Sequence, residues 1–228
     1  EIKDYKYRYP LKEISPANIF PGLRKNIEPE NDKAAAAEYK QLFNEFVNAM
    51  GEIRHKEENI ELWFEHFESL MLTFTSMVPA ARAGNVIPDF SLYDHSKSVA
   101  ALAAALYLYH RNTDTMSVEA ICNYDLKKFL LISGDFYGIQ NFIFSDSGEA
   151  GKRRSKILRG RSFAVSLLCE LAADMICRKI GIPSTSILLN AAGKFTIVSH
   201  NTSMVRQAVK DVELRVNDWL INNSCGES

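Results

Sequence analysis

Residues Ser133 to Phe144 read SGDFYGIQNFIF. An apolar run, Phe129 to Ile132, leads into Gly-Asp. Two aromatics, a second glycine and a glutamine follow before the chain turns apolar again. A strand ending on Gly134 and Asp135 carries both to its carboxyl end, where open α/β layers keep their ligands. Gly138 lets the backbone turn tightly or approach a ligand closely. Two readings fit these residues. One is a structural turn that Asp135 caps; the other is a ligand site where Asp135 holds a divalent ion and Gln140 bonds a base or backbone group.

Downstream, the pattern predicts a long helix from Ser155 to Lys179 with Ile157, Ala164, Leu168, Leu171 and Met175 inward. Strands follow at Thr185 to Leu189 and Phe195 to His200, around a tight Ala191-Ala192-Gly193 turn. The last helix, Asn201 to Asn222, carries Val205, Val209, Val212, Val216, Trp219 and Leu220 on one stripe. With the strand at Lys128 to Ser133 the order is β-α-β-β-α, five of the six elements of a ferredoxin-like unit.

Upstream the chain reads as helical. Residues 1 to 30 hold five prolines or glycines and suit an extended surface segment. From Asp32, Ala36, Tyr39, Phe43, Phe46, Val47, Met50 and Ile53 recur at helical spacing, then Ile60, Trp63, Phe64, Phe67, Leu70, Met71 and Phe74. A loop with Pro79, Gly84 and Pro88 precedes a third helix whose face carries Val99, Leu102, Leu106 and Tyr109. A short helix or turn is expected near Val118 to Leu126. The fold class is therefore α+β, a helical region over 1–126 followed by a ferredoxin-like βαββα domain over 127–228.

The 228 residues are 46% hydrophobic, enough for two folded units. Lys and Arg number 27 against 28 Asp and Glu, so no global basic field draws in a polyanion and any such contact is local. Cys122, Cys169, Cys177 and Cys225 form no CxxC pair or zinc spacing, which suits reduced thiols in the cytoplasm. Val99 to Tyr109 is too short to cross a bilayer and no signal peptide pattern opens the chain, so no membrane contact is expected. A start at Glu1 rather than methionine suggests a piece of something longer.

Three further clusters carry chemistry. Lys152, Arg153, Arg154, Lys156, Arg159 and Arg161 crowd the start of the long helix with no acid among them. Cations repel the positive end of a helix dipole, so they belong there if an anion does too; a solvated basic rim is the alternative. Asp94-His95 at a helix head either ligates a metal or is a capping aspartate beside a core histidine. His95 shares a stripe with Val99, Leu102 and Leu106, so it is expected to face the core or a pocket, with His55 and His66 the nearest candidate co-ligands. The hairpin Asn190 to Lys194 holds no carboxylate, and two-metal chemistry needs several on adjoining strands. The domain should be catalytically silent alone.

Together GDFYGIQNFIF, KILRGRSF (156 to 163), AGKF (192 to 195), PDFSLYDHSKSVAALAAALY (88 to 107) and YPLKEISPANIFP (9 to 21) resemble the large signature subunit of type III-A, Csm-type CRISPR effector complexes. The resemblance is collinear over nearly the whole chain. It implies an antiviral ribonucleoprotein that makes cyclic oligoadenylates from ATP once its guide RNA pairs with target RNA. Two palm domains share two ATP molecules and metal ions, Mg²⁺ or Mn²⁺, at their interface. Gly134, Asp135, Gly138, Ile139 and Gln140 match the Gly-Asp-x-Ser-Gly-Ile-Gln motif of the first palm, and Lys156, Arg159, Gly160 and Arg161 match its basic helix. Tyr137 stands where the family commonly has serine, replacing a small hydroxyl contact with a ring able to stack on adenine. The catalytic Gly-Gly-Asp-Asp motif belongs to a second palm, absent here along with the zinc-binding linker. Residues 1–126 then correspond to a remnant of a permuted HD-type nuclease domain and linker, with Asp94 and His95 on its late helix. Expected partners are the other complex subunits, guide and target RNA, and the second palm.

Two other functions fit parts of the sequence. An RNA-binding scaffold without nucleotide chemistry would use the sheet face and basic helix start, although the strand around Phe195 offers one aromatic where RNA recognition motifs use several. A stand-alone HD phosphohydrolase or DNase would rest on Asp94 and His95 alone.

Overall fold

The computed structural model describes residues 5–81, 89–144 and 154–223. Gly84, Pro88, Lys152, Arg153 and Cys225 of the reading above lie outside them. The chain divides into two compact units, Glu1–Lys97 and Ser98–Ser228. None of the described helices is long and apolar enough to cross a membrane.

In the first unit a two-stranded ribbon pairs β1 (Tyr7–Arg8) antiparallel with β2 (Gly22–Leu23), and a single helical turn, α1 (Arg24–Ile27), follows at once. The extended reading of residues 1 to 30 missed that turn. Ile14 N–H donates to the Thr73 carbonyl at 2.7 Å, pinning the segment to the next helical pair. That pair is α2 (Asp32–Glu52) and α3 (Ile60–Thr75). Asn31 and Asn59 start the two helices, each side-chain oxygen accepting an N–H three residues on at 3.0 Å. Phe46 meets Phe67 and Phe74 edge-on, with centroids 6.4 and 5.9 Å apart, so aromatic contacts join the two helices.

α4 (Leu92–Asn112) crosses from the first unit's residues into the second's. Its buried face is not the aliphatic stripe expected from the sequence. Ala101 and Ala105 are buried with Val198, whereas Val99 and Leu102 are about half exposed. Small side chains let the helix approach closely, and that proximity outweighs the larger transfer energy of valine and leucine.

The second unit contains α5 (Val118–Ile121), β3 (Phe129–Asp135), α6 (Ile139–Phe144), α7 (Arg154–Ile180), β4 (Ile187–Ala191), β5 (Lys194–His200) and α8 (Ser203–Asn223). The sheet order is β3-β5-β4, with β5 antiparallel to both neighbours. β3 and β4 are therefore parallel, joined by the α7 crossover, the split β-α-β arrangement of the expected β-α-β-β-α order. Ala192 and Gly193 make the β4–β5 turn with φ of 54° and 80°, the paired positive values of a type I′ hairpin.

The core joins Ile132, Phe195 and Ile197 of the sheet to α7 and α8. On α7 the buried stripe is Val165, Cys169, Ala173, Ile176, Cys177 and Ile180, one step round from the expected one; of the residues expected inward, Leu168 and Met175 are partly buried against this core and Leu171 is exposed. Burial, aided by the Asp174 charge, pushes the Cys177 thiol up to about 12. Trp219 of α8 is likewise half exposed rather than inward.

Candidate functional site

The quoted stretch is held by contacts its glycines make possible. A Cβ on Gly134 would stand 2.2 Å from ring carbons of Phe195, directly across the ladder. Gly134 is thus required by the buried phenyl ring lying over it. Phe136 N–H donates to the Gly193 carbonyl at 2.8 Å, extending the β3–β5 ladder one step past Asp135. A Cβ on Gly193 would meet the Ile139 side chain at 2.3 Å, so the hairpin tip presses on the first residue of α6. Gly138, at φ 76°, turns the chain into α6, and its carbonyl accepts from Phe142 N–H at 2.9 Å. The run after Gly138, legible only as apolar, is therefore a helix.

This rigid backbone presents polar groups to solvent. Asp135 is paired across the ladder with Lys194 at 3.1 Å. Tyr137 is 90% exposed, and Gln140 also faces solvent. At the start of α7, Lys156, Arg159 and Gly160 are exposed. Arg159 Nε donates to the Ser155 carbonyl at 3.2 Å, and Arg161 Nη1 reaches the Ile143 carbonyl of α6 at 3.4 Å. The stretch and the basic helix start, separate in sequence, are thus joined through α6. Phe195 is buried, so the sheet has no aromatic platform there for an RNA base.

Behind the turn lies a cavity of about 550 Å³ between the end of β3, α7 and the second half of α8. Its walls are mostly apolar, with Ser133, Asp135, Tyr137, Glu213 and Asn217 among the polar residues that line it. Cys169, on its α7 wall, has its thiol pushed up by burial and by the Asp135 charge.

Asp94 and His95 sit differently. Ser91 Oγ accepts from Asp94 N–H at 3.0 Å and donates to Asp94 Oδ2 at 2.7 Å, a reciprocal cap of α4. His95 is exposed, not core-facing as its stripe suggested, and meets Phe90 edge-on at 6.3 Å. Lys97, two residues on, pairs with Glu68 at 3.2 Å. Among the described residues no group of three or more His, Cys, Asp or Glu side chains is placed to hold a metal. The second unit has buried histidines of its own, which no motif or spacing in the sequence marks. His110 Nδ1 lies 2.8 Å from the Thr115 carbonyl, and Asn112 Nδ2 lies 3.0 Å from His200 Nε2.

Comparison with known proteins gives these residues a context. Residues 128–227 match the family model for domain B of the Csm1 subunit. The chain is 29% identical over 239 residues to the CRISPR system single-strand-specific deoxyribonuclease Cas10/Csm1 (subtype III-A) of Methanocaldococcus jannaschii, covering 95% of this chain and 28% of the relative. Nearly the whole chain is therefore similar to Cas10/Csm1 proteins of subtype III-A CRISPR systems, and residues 128–227 to their domain B. Its Mycobacterium tuberculosis relative of the same description is 29% identical over 93% of this chain and 25% of its own length. The chain thus spans about a quarter of these relatives. Its fold matches a Csm1–Csm4 cassette without ligand (TM-score 0.73, 23% identity, 95% of this chain and 27% of that one). It also matches a cassette in complex with one ATP (TM-score 0.72, 24% identity, 96% and 27%).

Proposed function

We propose that residues 127–228 are the first palm of a paired-palm ATP-cyclising polymerase, and that residues 1–126 are the HD-derived helical region and linker of the same large subunit. The observation that carries it is the Arg161 to Ile143 contact, which brings the Gly134 to Gln140 turn and the Lys156, Arg159 and Arg161 cluster to one end of the domain. Cations at a helix start, beside a glycine turn and an exposed ring, match a nucleoside triphosphate: phosphates on the basic helix, adenine against Tyr137. Asp135 binds or orients within the same site, with Gly138 and Gln140 on its floor.

The described donors do not form a metal site of their own here. Asp135 stands beside Lys194, with no carboxylate on the hairpin across from it. Mg²⁺ or Mn²⁺ would be held chiefly by carboxylates of the second palm, which also supplies catalysis. In this scheme a metal at Asp94 and His95 needs ligands from outside the described residues. The other subunits, guide RNA and target RNA complete the assembly, whose relatives include Csm1–Csm4 cassettes in complex with AMPPNP and with the cyclic product cA3.

The test is to incubate the chain with ATP and Mg²⁺ or Mn²⁺, alone and joined to its second palm in a complex carrying guide and target RNA, and to resolve the products by chromatography. Silence alone and oligoadenylate from the assembly are expected, with Lys156→Ala/Arg159→Ala raising the ATP concentration needed. An assembly that makes no oligoadenylate overturns the proposal.

A further inference from the structure

β3 is an edge strand without the usual protection of an edge. Among the described residues it pairs only with β5, and no strand lies along its other side. The register says which backbone groups point that way. Phe136 N–H donates to the Gly193 carbonyl at 2.8 Å and Asn201 N–H to the Lys128 carbonyl at 2.9 Å, so the even-numbered positions of this stretch bond toward β5. In an antiparallel ladder the positions between them turn both N–H and C=O the other way. Phe129, Leu131, Ser133 and Asp135 therefore offer their main-chain groups outward, and all four residues are exposed. From Phe129 to Ser133 there is no charge and no proline, the features that ordinarily blunt an edge against a second strand, and Leu131 is 68% exposed.

We propose that this edge pairs with itself: β3 of one copy lies antiparallel to β3 of a second copy about a two-fold axis at Leu131, joining two three-stranded sheets into one continuous sheet. Leu131 then faces Leu131 of the copy, Phe129 faces Ser133, and Lys127 faces Asp135. Two features favour a second copy over an unrelated strand. The first is hydrogen bonding. The outward positions are the same odd-numbered set in both copies, so an axis at Leu131 sets donors against acceptors at every second residue, about six bonds over the three central pairs. The second is charge. Lys127 and Asp135 are both exposed and lie equally far on either side of Leu131, so the two-fold brings each against its opposite charge, once at each end. Lys194 holds Asp135 from the β5 side, and Lys127 of the copy approaches from the other. On the helix side Leu130 of each copy stands beside Ile132 of the other, a residue that lines the apolar cavity. The contact goes beyond the nucleotide reading and needs neither ATP nor the second palm.

The experiment is sedimentation velocity of the full chain over a range of concentrations, without nucleotide. A species of twice 25.7 kDa should grow in as concentration rises. Leu131→Pro removes an outward N–H that β5 does not use, so the ladder within each copy is kept and the pairing between copies is blocked. With folding checked by circular dichroism, association should weaken at least about tenfold. Leu131→Cys in a Cys122→Ser/Cys225→Ser background tests the register. Directly opposed Cα atoms of a hydrogen-bonded pair are about 5.5 Å apart, within disulfide reach, so mild oxidation should give a covalent dimer. Ser133→Cys in the same background faces Phe129 and should stay uncross-linked. A chain that is monomeric at every concentration overturns the proposal, as does dimerisation that Leu131→Pro leaves unchanged, or cross-linking of Ser133→Cys as fast as Leu131→Cys. A monomer whose Leu131 and Ser133 amides resist hydrogen exchange overturns it too, and assigns the edge to another stretch of polypeptide. None of these readouts depends on ATP, so failure here is distinct from failure of the palm assignment.

Discussion

Asp135 and Asp94 both stand where a strand end or a helix head meets a loop, and both belong to segments resembling family motifs, yet their surroundings differ. At Asp135 the backbone is dictated by its neighbours: Phe195 lies on Gly134, Ile139 presses on Gly193, and Gly138 turns with positive φ. The side chains around it are left to solvent. At Asp94 the reverse holds. The carboxylate accepts the Ser91 hydroxyl and the backbone N–H is capped by it, so the polar groups are spent on starting α4. Where packing fixes the main chain and leaves polar groups unspent, a motif supports a binding site. Where the polar groups satisfy their own helix, it supports structure first.

The comparison breaks most easily at Gly134. Gly134→Ala places a methyl group into the Phe195 ring, and overpacking a core site of this kind costs about 2–3 kcal/mol. Gly160→Ala, in the same candidate site, has nothing within 4 Å of its new Cβ and lies inside α7. It should stabilise the helix by about 1 kcal/mol. Urea unfolding of the two variants checks both signs. Equal effects would mean that the glycine at the strand end is not held by packing.

The next effect concerns a histidine the sequence did not single out. His200 is fully buried at the end of β5, with Asn112 Nδ2 at its Nε2, and burial pushes it below the ordinary value of 6.5. The unfolded chain therefore takes up this proton first as the pH falls. Stability from neutral His200 is complete above the unfolded value and is lost below it, until the folded imidazole is protonated too. Thermal melts from pH 8 to 5.5 should show this loss, and His200→Gln should flatten it. Asp211, lowered chiefly by its hydrogen bond from Lys179, acts in a separate and more acidic window.

Much of the second unit was legible because its elements obey one period each: alternation for β3 and β5, valines at three and four along α8, and a two-residue turn with glycine in place. The stripe on α4 was misread because hydrophobicity ranks valine and leucine above alanine, whereas the closest packing there uses Ala101 and Ala105. On α7 the stripe that was counted runs beside the buried one, which mixes large and small residues, Val165, Ile176 and Ile180 with Cys169, Ala173 and Cys177. α6 was missed because six residues after a positive-φ glycine carry no helical periodicity to count. In the candidate site the glycines were readable as turn formers. Their partners, Phe195 and Ile139, were not, because nothing local in the sequence says which distant ring will lie over which glycine.

At the head of α4, Ser91→Ala should cost about 1 kcal/mol, the ordinary worth of a lost N-cap. His95→Ala, exposed and edge-on to Phe90, should stay within about 0.5 kcal/mol. A larger loss for His95 than for Ser91 would reverse the assignment of roles there.

The smallest stability effect is expected where the functional one is greatest. Asp135 and Lys194 remain more than half exposed at 57% and 63% of their side chains, so their 3.1 Å pair is screened by water and salt. Asp135→Asn should then change unfolding free energy by about 0.5 kcal/mol or less. The change should shrink further in high salt, since only the charge is removed and the backbone is held by its glycine contacts. An aspartate that contributes so little to folding is free to serve a ligand. If Asp135→Asn instead unfolds the domain, the carboxylate is structural, the contrast with Asp94 disappears, and the turn is a turn first. If folding is kept while the assembled complex needs more ATP for the same rate, the backbone supplies the shape and the carboxylate the chemistry.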